Sequence, residues 1–371
     1  MADLFKHIYN HTFFEVFTSI FKEVVPSFNT KEFLNDIFDD EWENRELKQR
    51  MRHTTNTLHR QLSGNFEKDV ADILRFITLW KGRETKVSPN DGLAFIFLPD
   101  YLEQYGIEHY TLAMNATEAI TAFASCEFSI RPFIIKYPEK SMVQMLQWAS
   151  HNNLHVRRLA SEGSRPRLPW AMALPVLKKD PAPILPILEK LKTDPSEYVR
   201  RSVANNLNDI AKDNPEVVIK IAKQWKGISK ETDWVVKHAC RTLLKQGNQE
   251  IMALFGFGKV DKFKLSNFKI NTTKVKIGTH LDFSFDLINT NNTTSKIRLE
   301  YGLYYQKLNG TLSKKVFKIS EKEYSPKSTT SINRKQSFKR ITTRKFHTGK
   351  HQVSVIINGS ELEKRNFELI E

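Results

Sequence analysis

The spacing of apolar residues changes once along this chain, and that change constrains its fold more than any other feature. Up to about residue 255, apolar residues recur at helical spacing, as in "TKEFLNDIFDDEW", where Thr30 is the expected helix cap. After "LFGFGKV" the period drops to two, and "HLDFSFDLINTNN" alternates polar residues with Leu281, Phe283, Phe285 and Leu287. We therefore predict an all-α domain over residues 1–255 and an all-β domain over residues 259–371.

The second half of the helical region contains an internal repeat. The segment "DPSEYVRRSVANNLNDIAKDNP" joins an Asp-Pro turn to an amphipathic helix that opens with Val-Arg-Arg. Its Val199 corresponds to Val156 in "LHVRRLASEG" and to Val235 in "DWVVKHACRTLL", at spacings of 43 and 36 residues. A unit of that length fits a pair of helices, so the pattern predicts a HEAT-like-repeat solenoid.

Basic residues recur at equivalent places in these repeats. Stacking of equivalent helices would align them along one face, where they could bind phosphates. The alternative is that they brace neighbouring helices. The nearby segment "SEGSRPRLPW" adds two more arginines, and we predict the following residues as phosphate-binding: Arg157, Arg158, Arg165, Arg167, Arg200, Arg201 and Lys237.

Residues 259–371 consist of short alternating segments separated by Asn and Gly turns, which predicts an immunoglobulin-like sandwich. This region holds 23 Lys and Arg against 10 Asp and Glu, most of the chain's net charge of +15. The imbalance suits a segment lying along a polyanion, with "NRKQSFKRITTRK" (333–345) reaching across a nucleic acid. Two alternatives are a lysine-rich surface that aids solubility and a module that binds carbohydrate or another surface.

Several classes of protein are disfavoured. No apolar run is long enough to span a membrane and the first residues lack a signal-peptide pattern, so we expect a cytoplasmic protein. If its polyanion is DNA, a monomer suits the task, and it would be associated with the bacterial nucleoid while bound. Cys126 and Cys240 lack metal-type spacing and are expected to be reduced core residues. The sequence contains no P-loop or dinucleotide fingerprint, and we expect neither a metal nor a cofactor.

Two carboxylates stand in unusual settings. Glu127 lies in the apolar segment "ASCEFSIRPFI", which we predict as a helix ended by Pro132. Glu162 lies in the last turn of a helix, where the dipole disfavours an anion by about 0.3–1 kcal/mol. Each has an arginine four residues away, so a plain ion pair worth about 0.2–0.5 kcal/mol is the alternative. For Glu162 we favour a chemical role, with the arginines holding phosphates around it.

Trp170 follows Pro169, which stiffens the chain that leads to it. A tryptophan in this position either packs into the core between helices or presents a platform to a base or a deoxyribose. The residues alone leave both interpretations open.

Three segments resemble the AlkC group of HEAT-like-repeat DNA glycosylases, which are bacterial alkylation-repair enzymes: "ELKQRMRHTTNTLHRQL", "AITAFASCEFSIRPFI" and "VRRLASEGSRPRLPW". Some members carry a C-terminal immunoglobulin-like domain, which residues 259–371 match in size and pattern. The resemblance implies binding of alkylated double-stranded DNA and removal of 3-methyladenine and related cationic bases. It also implies that Glu127 and Glu162 are active-site carboxylates, Trp170 is an active-site tryptophan and Arg158 contacts DNA.

The chemistry of such a reaction suits these residue types. A cationic base is already a good leaving group, and the difficult part is the positive charge that develops on the sugar. A fixed carboxylate would stabilise that oxocarbenium-like state and position the attacking water. The family bends DNA and acts from the backbone side, so we expect selectivity to come from lesion instability and access to the sugar. The main alternative is a non-catalytic HEAT-repeat scaffold that binds nucleic acid or an acidic protein.

Overall fold

The computed structural model describes residues 5–83, 91–258, 260–341 and 345–371, and its secondary structure changes from helix to strand as predicted. Residues 342–344 of the basic stretch lie outside the described residues. The helices are α1 (His11–Val24), α2 (Thr30–Ile37), α3 (Leu47–Gln61), α4 (Phe66–Gly82), α5 (Asp91–Ala94), α6 (Phe97–Tyr105), α7 (Tyr110–Ile120), α8 (Arg131–Lys136), α9 (Pro138–Trp148), α10 (Leu154–Gly163), α11 (Pro175–Lys179), α12 (Leu185–Leu191), α13 (Glu197–Ile210), α14 (Pro215–Trp225), α15 (Lys230–Ala239), α16 (Arg241–Gln246) and α17 (Gln249–Leu254). The strands are β1 (Phe263–Ile270), β2 (Lys274–Lys276), β3 (His280–Asn289), β4 (Ser295–Gln306), β5 (Leu312–Tyr324), β6 (Thr329–Ser337), β7 (Gly349–Ile357) and β8 (Ser360–Ile370).

Asparagine side chains start several of the helices. The predicted cap at Thr30 is wrong by one residue, because Asn29 accepts the hydrogen bond from the backbone N–H of Glu32 at 3.2 Å. Thr30 is instead the first residue of α2. Asparagine caps well because its short side-chain oxygen reaches an N–H that has no partner within the helix. The same arrangement occurs at the helix starts that follow Asn10, Asn65, Asn153 and Asn248.

The first helices pack around a core of phenylalanines. Phe13, Phe14, Phe17 and Phe21 on α1 are all nearly inaccessible to solvent. The ring of Phe17 lies 5.0 Å from that of Phe76 on α4, in an edge-to-face arrangement. Such pairs add about 0.5–1.5 kcal/mol to the gain from burial. This core supports α3, which carries one wall of the site described below.

The repeat predicted from the sequence is present in α10, α13 and α15, which pack side by side in that order. The equivalent valines are fully buried, with Val156 at 1% and both Val199 and Val235 at 0% exposure. Polar groups also join the first two helices, since Asn206 on α13 donates to the carbonyl of Ser161 on α10 at 2.8 Å. The helical-repeat prediction is therefore confirmed. Among the described residues, no helix combines the length and apolar character needed to cross a bilayer.

The strands form two sheets, as predicted for an immunoglobulin-like sandwich. The first has the order β1-β3-β6 and the second the order β2-β8-β7-β4-β5. The β2–β8 pair is parallel and the other pairs are antiparallel. The alternation predicted for β3 is observed, because Leu281, Phe283, Phe285 and Leu287 point into the core with 0–1% exposure.

Packing places α16 and α17 in the same compact unit as the sandwich. One unit comprises residues 1–218 and 225–239, and the other comprises residues 219–224 and 240–371. Within the second unit, the backbones of Gly247 and Gly359 touch, and a Cβ added to Gly359 would lie 2.0 Å from the Cα of Gly247. The side chain of Asn358 also donates to the carbonyl of Gly258 at 2.6 Å. The change in secondary structure and the division by packing thus fall at different residues.

The two cysteines are buried and form no disulfide. Burial raises the pKa of the Cys126 thiol well above its ordinary value and raises the pKa of Cys240 to about 12. Both thiols are therefore protonated and unreactive near neutral pH.

We predict that Gly359→Ala destabilises the protein far more than Gly310→Ala. Both glycines have left-handed φ angles, +79° and +77°, but a Cβ on Gly310 would meet nothing within 4 Å. The control should lose about 1–2 kcal/mol from the backbone conformation alone. Gly359→Ala should lose more than about 4 kcal/mol, because two backbones must separate. Urea denaturation of the full chain would measure both losses, and equal losses would contradict the close packing.

Candidate active site

A cavity of about 530 Å³ opens in the helical unit where α3, α10 and α13 meet the turns around residue 125. Its wall includes five of the predicted residues: Glu127, Glu162, Trp170, Arg158 and Arg165. Sequence reasoning missed other lining residues that the next paragraphs use: Lys48, Phe123, Ser125, Phe128, His155 and Tyr198. Residues separated by more than 100 positions in sequence thus form one concave surface, as ligand sites usually do.

Glu127 is positioned by a turn and not by a helix. The predicted helix ended by Pro132 is wrong, because residues 121–130 form successive turns between α7 and α8, and Pro132 lies in the first turn of α8. Proline is favoured there because its missing N–H would have no partner in a helix. Ser125 donates a hydrogen bond to the Glu127 carboxylate, and buried Cys126 anchors the turn.

One guanidinium joins the two carboxylates. Arg158 on α10 lies 2.7 Å from Oε2 of Glu127, and its other terminal nitrogen lies 3.7 Å from Oε1 of Glu162. The ring of Tyr198 covers this guanidinium at 4.5 Å. Burial lowers the pKa of Arg158, but the two carboxylates outweigh burial, and the net pKa is raised. Arg158 is therefore a permanent cation that holds two anions beside one cavity.

Glu162 has a second cationic partner. Arg165 donates to Oε1 of Glu162 at 2.6 Å, and its Nε lies 2.8 Å from a carboxylate oxygen of Asp209 on α13. Asp209 in turn accepts from Lys212 at 2.9 Å. The sequence suggests an isolated carboxylate at the negative end of the α10 dipole. In the structure, Glu162 is instead paired with Arg158 and Arg165, which offset the dipole. Within the described part of the chain, the hydrogen bond that Glu162 accepts goes to Oε1, and Glu162 also lines the cavity.

Arg131 holds the segment that carries the other site residues. It is fully buried, and it donates to the carbonyls of Gly163 at 3.0 Å, Arg165 at 2.9 Å and Met172 at 2.6 Å. Burial and the nearby charge of Arg165 lower its pKa to about 10, still far above neutrality. The predicted alternative, an ion pair between Arg131 and Glu127, is not formed. Arg131 instead fixes the path of residues 163–172 from beneath.

Trp170 is presented to solvent at the rim of the cavity. Its side chain is 65% exposed, which excludes the interpretation of Trp170 as a core tryptophan. Its φ of 65° is left-handed, a conformation that costs a residue with a side chain about 1–2 kcal/mol. Two contacts hold it there: Lys48 donates to its carbonyl at 3.0 Å, and the ring of Phe5 lies 6.3 Å away. Strain of this kind concentrates at functional sites.

Three other aromatic rings of the cavity, those of Phe123, Phe128 and Tyr198, already have cations of the protein on their faces. Lys48 lies 5.5 Å from the ring of Phe128, and Lys81 lies 5.8 Å from the ring of Phe123. Tyr198 has Arg158 in the same relation. A positively charged ligand would be repelled from these three faces, whereas Trp170 has no such cation among the described contacts.

Arg157 and Arg200 brace helices, which was the alternative interpretation of the repeated cations. Each arginine binds the carbonyls six and five residues before it, namely residues 151 and 152 for Arg157 and residues 194 and 195 for Arg200. Arg157 also pairs with buried Asp194 at 2.6 Å. This shared geometry confirms that the two helices are repeats. Because these hydrogen bonds occupy N–H groups of both guanidinium groups, fewer are left to donate to a phosphate.

The remaining predicted cations lie outside the cavity wall. Arg167 forms a bidentate pair with Asp213 at 2.6 Å and is 38% exposed. Arg201 pairs with Glu197 on the surface of α13 and is 58% exposed. Lys237 lies near the end of α15 and also contacts other residues.

We predict that Arg157→Met destabilises the fold by about 3–5 kcal/mol, because it leaves the buried Asp194 carboxylate without its cation. Arg201→Met should cost less than about 1 kcal/mol, since both members of its pair are exposed. Chemical denaturation of the two variants in parallel would test this. Similar losses for both would mean that Arg157 does not brace the helix.

Two family models match the chain. Residues 103–251 match the family described as DNA alkylation repair enzyme, and residues 264–371 match the family described as uncharacterised protein YhaZ, C-terminal Ig-like domain. The protein YhaZ of Bacillus subtilis is 43% identical over 370 residues, with 100% coverage of both chains. The alkylpurine DNA glycosylase AlkC of Pseudomonas fluorescens, solved with DNA containing an abasic site analogue, superimposes with a TM-score of 0.92 at 33% identity and full coverage of both chains. The chain therefore belongs to the AlkC-type family of DNA alkylation repair glycosylases, in which helical repeats precede an immunoglobulin-like domain.

Proposed function

We propose that this protein hydrolyses the N-glycosidic bond of cationic N-methylated bases, 3-methyladenine and related lesions, in duplex DNA. The observation that supports this best is the pair of carboxylates, Glu127 and Glu162, held by Arg158 at one cavity beside exposed Trp170. The relative AlkC is described as an alkylpurine DNA glycosylase and was solved with an abasic site analogue. An abasic site is what release of a base leaves behind.

The cavity suits a reaction that needs an anion and not an acid. A methylated cationic base leaves without being protonated. Two groups at the cavity are neutral. Partial desolvation of the His155 ring and the charges of Arg158 and Lys81 lower the pKa of His155, so its ring is neutral near pH 7. Burial raises the pKa of Tyr198 above its ordinary value. The carboxylates are then the groups that can respond to positive charge on the sugar.

The arginines give these carboxylates their catalytic value by holding them still. A carboxylate that is fixed before the reaction stabilises developing charge without having to reorganise. Glu127 is fixed by Ser125 and Arg158, and Glu162 by Arg165. We propose that one carboxylate stabilises the oxocarbenium-like sugar and that the pair positions the attacking water. Loss of one such group costs about 10²–10³ in rate in well-studied enzymes.

Selectivity is proposed to come from the lesion and from access to the sugar. The cations on Phe123, Phe128 and Tyr198 disfavour entry of a positively charged base into the cavity. Trp170 at the rim can contact the deoxyribose instead. The base then stays outside the cavity while the sugar faces the carboxylates. Only a base that already leaves easily would be released by such a site.

Phosphate binding is assigned to cations that face outward. Arg167, Arg201 and Lys237 are proposed to contact the DNA backbone, while Arg157 and Arg200 brace helices and Arg158 and Arg165 hold the carboxylates. Contacts of this kind position the duplex without reading its sequence.

We predict that Glu127→Gln and Glu162→Gln each reduce release of 3-methyladenine by about 10²–10³. Glutamine keeps the shape of the side chain and removes the charge. Glu250→Gln is the matched control, because Glu250 also pairs with a cation, Lys223, but lies on the exposed surface of α17. Chromatography of bases released from methylated duplex DNA would measure the rates. If the wild type releases none above the spontaneous rate, the protein is a binding scaffold.

We also predict that Arg201→Met lowers the slope of log affinity against log salt by about 0.9, the value for one phosphate contact on duplex DNA. Lys223→Met removes a similarly exposed and similarly paired cation from α14 and should leave the slope unchanged. The measurement is a salt titration of binding to duplex DNA with an abasic site analogue. An unchanged slope for Arg201→Met would remove Arg201 from the interface.

A further inference from the structure

The repeat that aligns three buried valines also aligns three aromatic rings. The residues immediately before Val156, Val199 and Val235 are His155, Tyr198 and Trp234. His155 is exposed, and Tyr198 and Trp234 are 45% and 39% exposed. The valine that follows each ring is 0–1% exposed and makes the packing contact of the repeat. The fold therefore does not itself require an aromatic residue at the exposed position before it.

A cation follows each ring by three residues. The pairs are His155 with Arg158, Tyr198 with Arg201, and Trp234 with Lys237. Residues three apart in a helix lie on the same face, so α13 and α15 each present one ring beside one cation, whereas Arg158 on α10 is turned to the two carboxylates. A DNA strand has a matching repeat, because an apolar sugar face, which could contact a ring, alternates with an anionic phosphate, which could contact a cation.

The row of rings begins at the proposed active site. His155 and Tyr198 line the cavity, and their rings meet edge to face at 6.0 Å. Trp234 lies one helix further on, outside the cavity wall. The first two rings are 6.0 Å apart and packed helices are separated by about 8–10 Å, so the row spans about 15 Å, the length of about four to five nucleotides in a duplex strand. The row therefore leads from the cavity along neighbouring DNA.

The ring at the far end is held in one orientation. His238 stacks on Trp234 at 5.1 Å with an angle of 7° between the planes. His238 in turn contacts the side-chain oxygen of Asn205 on α13 at 3.2 Å. A ring that is held in place loses little entropy when a ligand covers its exposed part.

We propose that these three aromatic–cation pairs form a track for the DNA strand on one side of the lesion. In the first pair, Arg158 serves the carboxylates and His155 lies beside the reacting sugar. In the second and third pairs, Tyr198 and Trp234 contact deoxyribose or an unstacked base, and Arg201 and Lys237 contact the adjacent phosphates. The track rests on the proposed function, because its occupant is the DNA that carries the lesion.

Trp234→Ala tests the track at the position furthest from the chemistry. The readout is affinity for duplexes with an abasic site analogue, measured by fluorescence anisotropy. On a duplex that extends well beyond the site on both sides, affinity should fall about fivefold to tenfold, the lower part of the range for loss of one aromatic contact. Trp234→Phe should restore most of it. Ile228→Ala, which removes a similarly exposed apolar side chain before α15, should change nothing.

Shortened duplexes separate contact with DNA from a structural role. When the duplex is cut to end next to the site on the side that the track covers, wild type and Trp234→Ala should bind equally. Cutting the other side should leave the difference between them intact. A difference that persists on both shortened duplexes, or an unchanged affinity on the long duplex, overturns the track. Because the readout is binding, failure of base release by wild type would overturn the proposed activity without deciding the track.

Discussion

The site depends on a chain of alternating charges that runs from Glu127 through Arg158, Glu162 and Arg165 to Asp209. Its members come from the turn after α7, from α10, from the segment after α10 and from α13. A buried charge without a partner costs several kcal/mol, so each member requires its neighbours. The chain therefore fixes the relative positions of four segments that the sequence separates. Any rearrangement that separated the two glutamates would also break the contact between Arg158 and one of them.

This network assigns the arginines roles that differ from those suggested by the sequence. The sequence predicts that the arginines around Glu162 bind phosphates and that Glu162 itself takes part in the reaction. In the structure, Arg158 and Arg165 serve the anions, and Arg157 and Arg200 serve backbone carbonyls. Arginine suits both tasks because its planar fork can satisfy several oxygens at once. Of the cations that face outward, Arg167 pairs with Asp213 and Arg201 pairs with Glu197.

The sequence predicted what depends on local periodicity and missed what depends on distant partners. The change of period at residues 255–259 and the buried alternation in β3 both follow from contacts between near neighbours, and both are confirmed. The apolar neighbours of Glu127 predict a helix, but Glu127 lies in a turn that is set by contacts that no local pattern records. Asp209 gave no signal at all, since an aspartate in a polar helix ordinarily faces water. Tyr198 did carry a signal, because it precedes an aligned valine.

Repetition and specialisation can be separated in this fold. Arg158 and Arg201 occupy equivalent positions on α10 and α13, yet Arg158 holds two carboxylates at a cavity and Arg201 forms one exposed pair. The helices themselves do not account for the difference. It arises from what α10 faces, which is the turn of Glu127 and the segment held by Arg131. The repeat array thus becomes a candidate active site where irregular chain meets α10: the turn after α7 supplies Glu127, and the segment fixed by fully buried Arg131 supplies the strained Trp170.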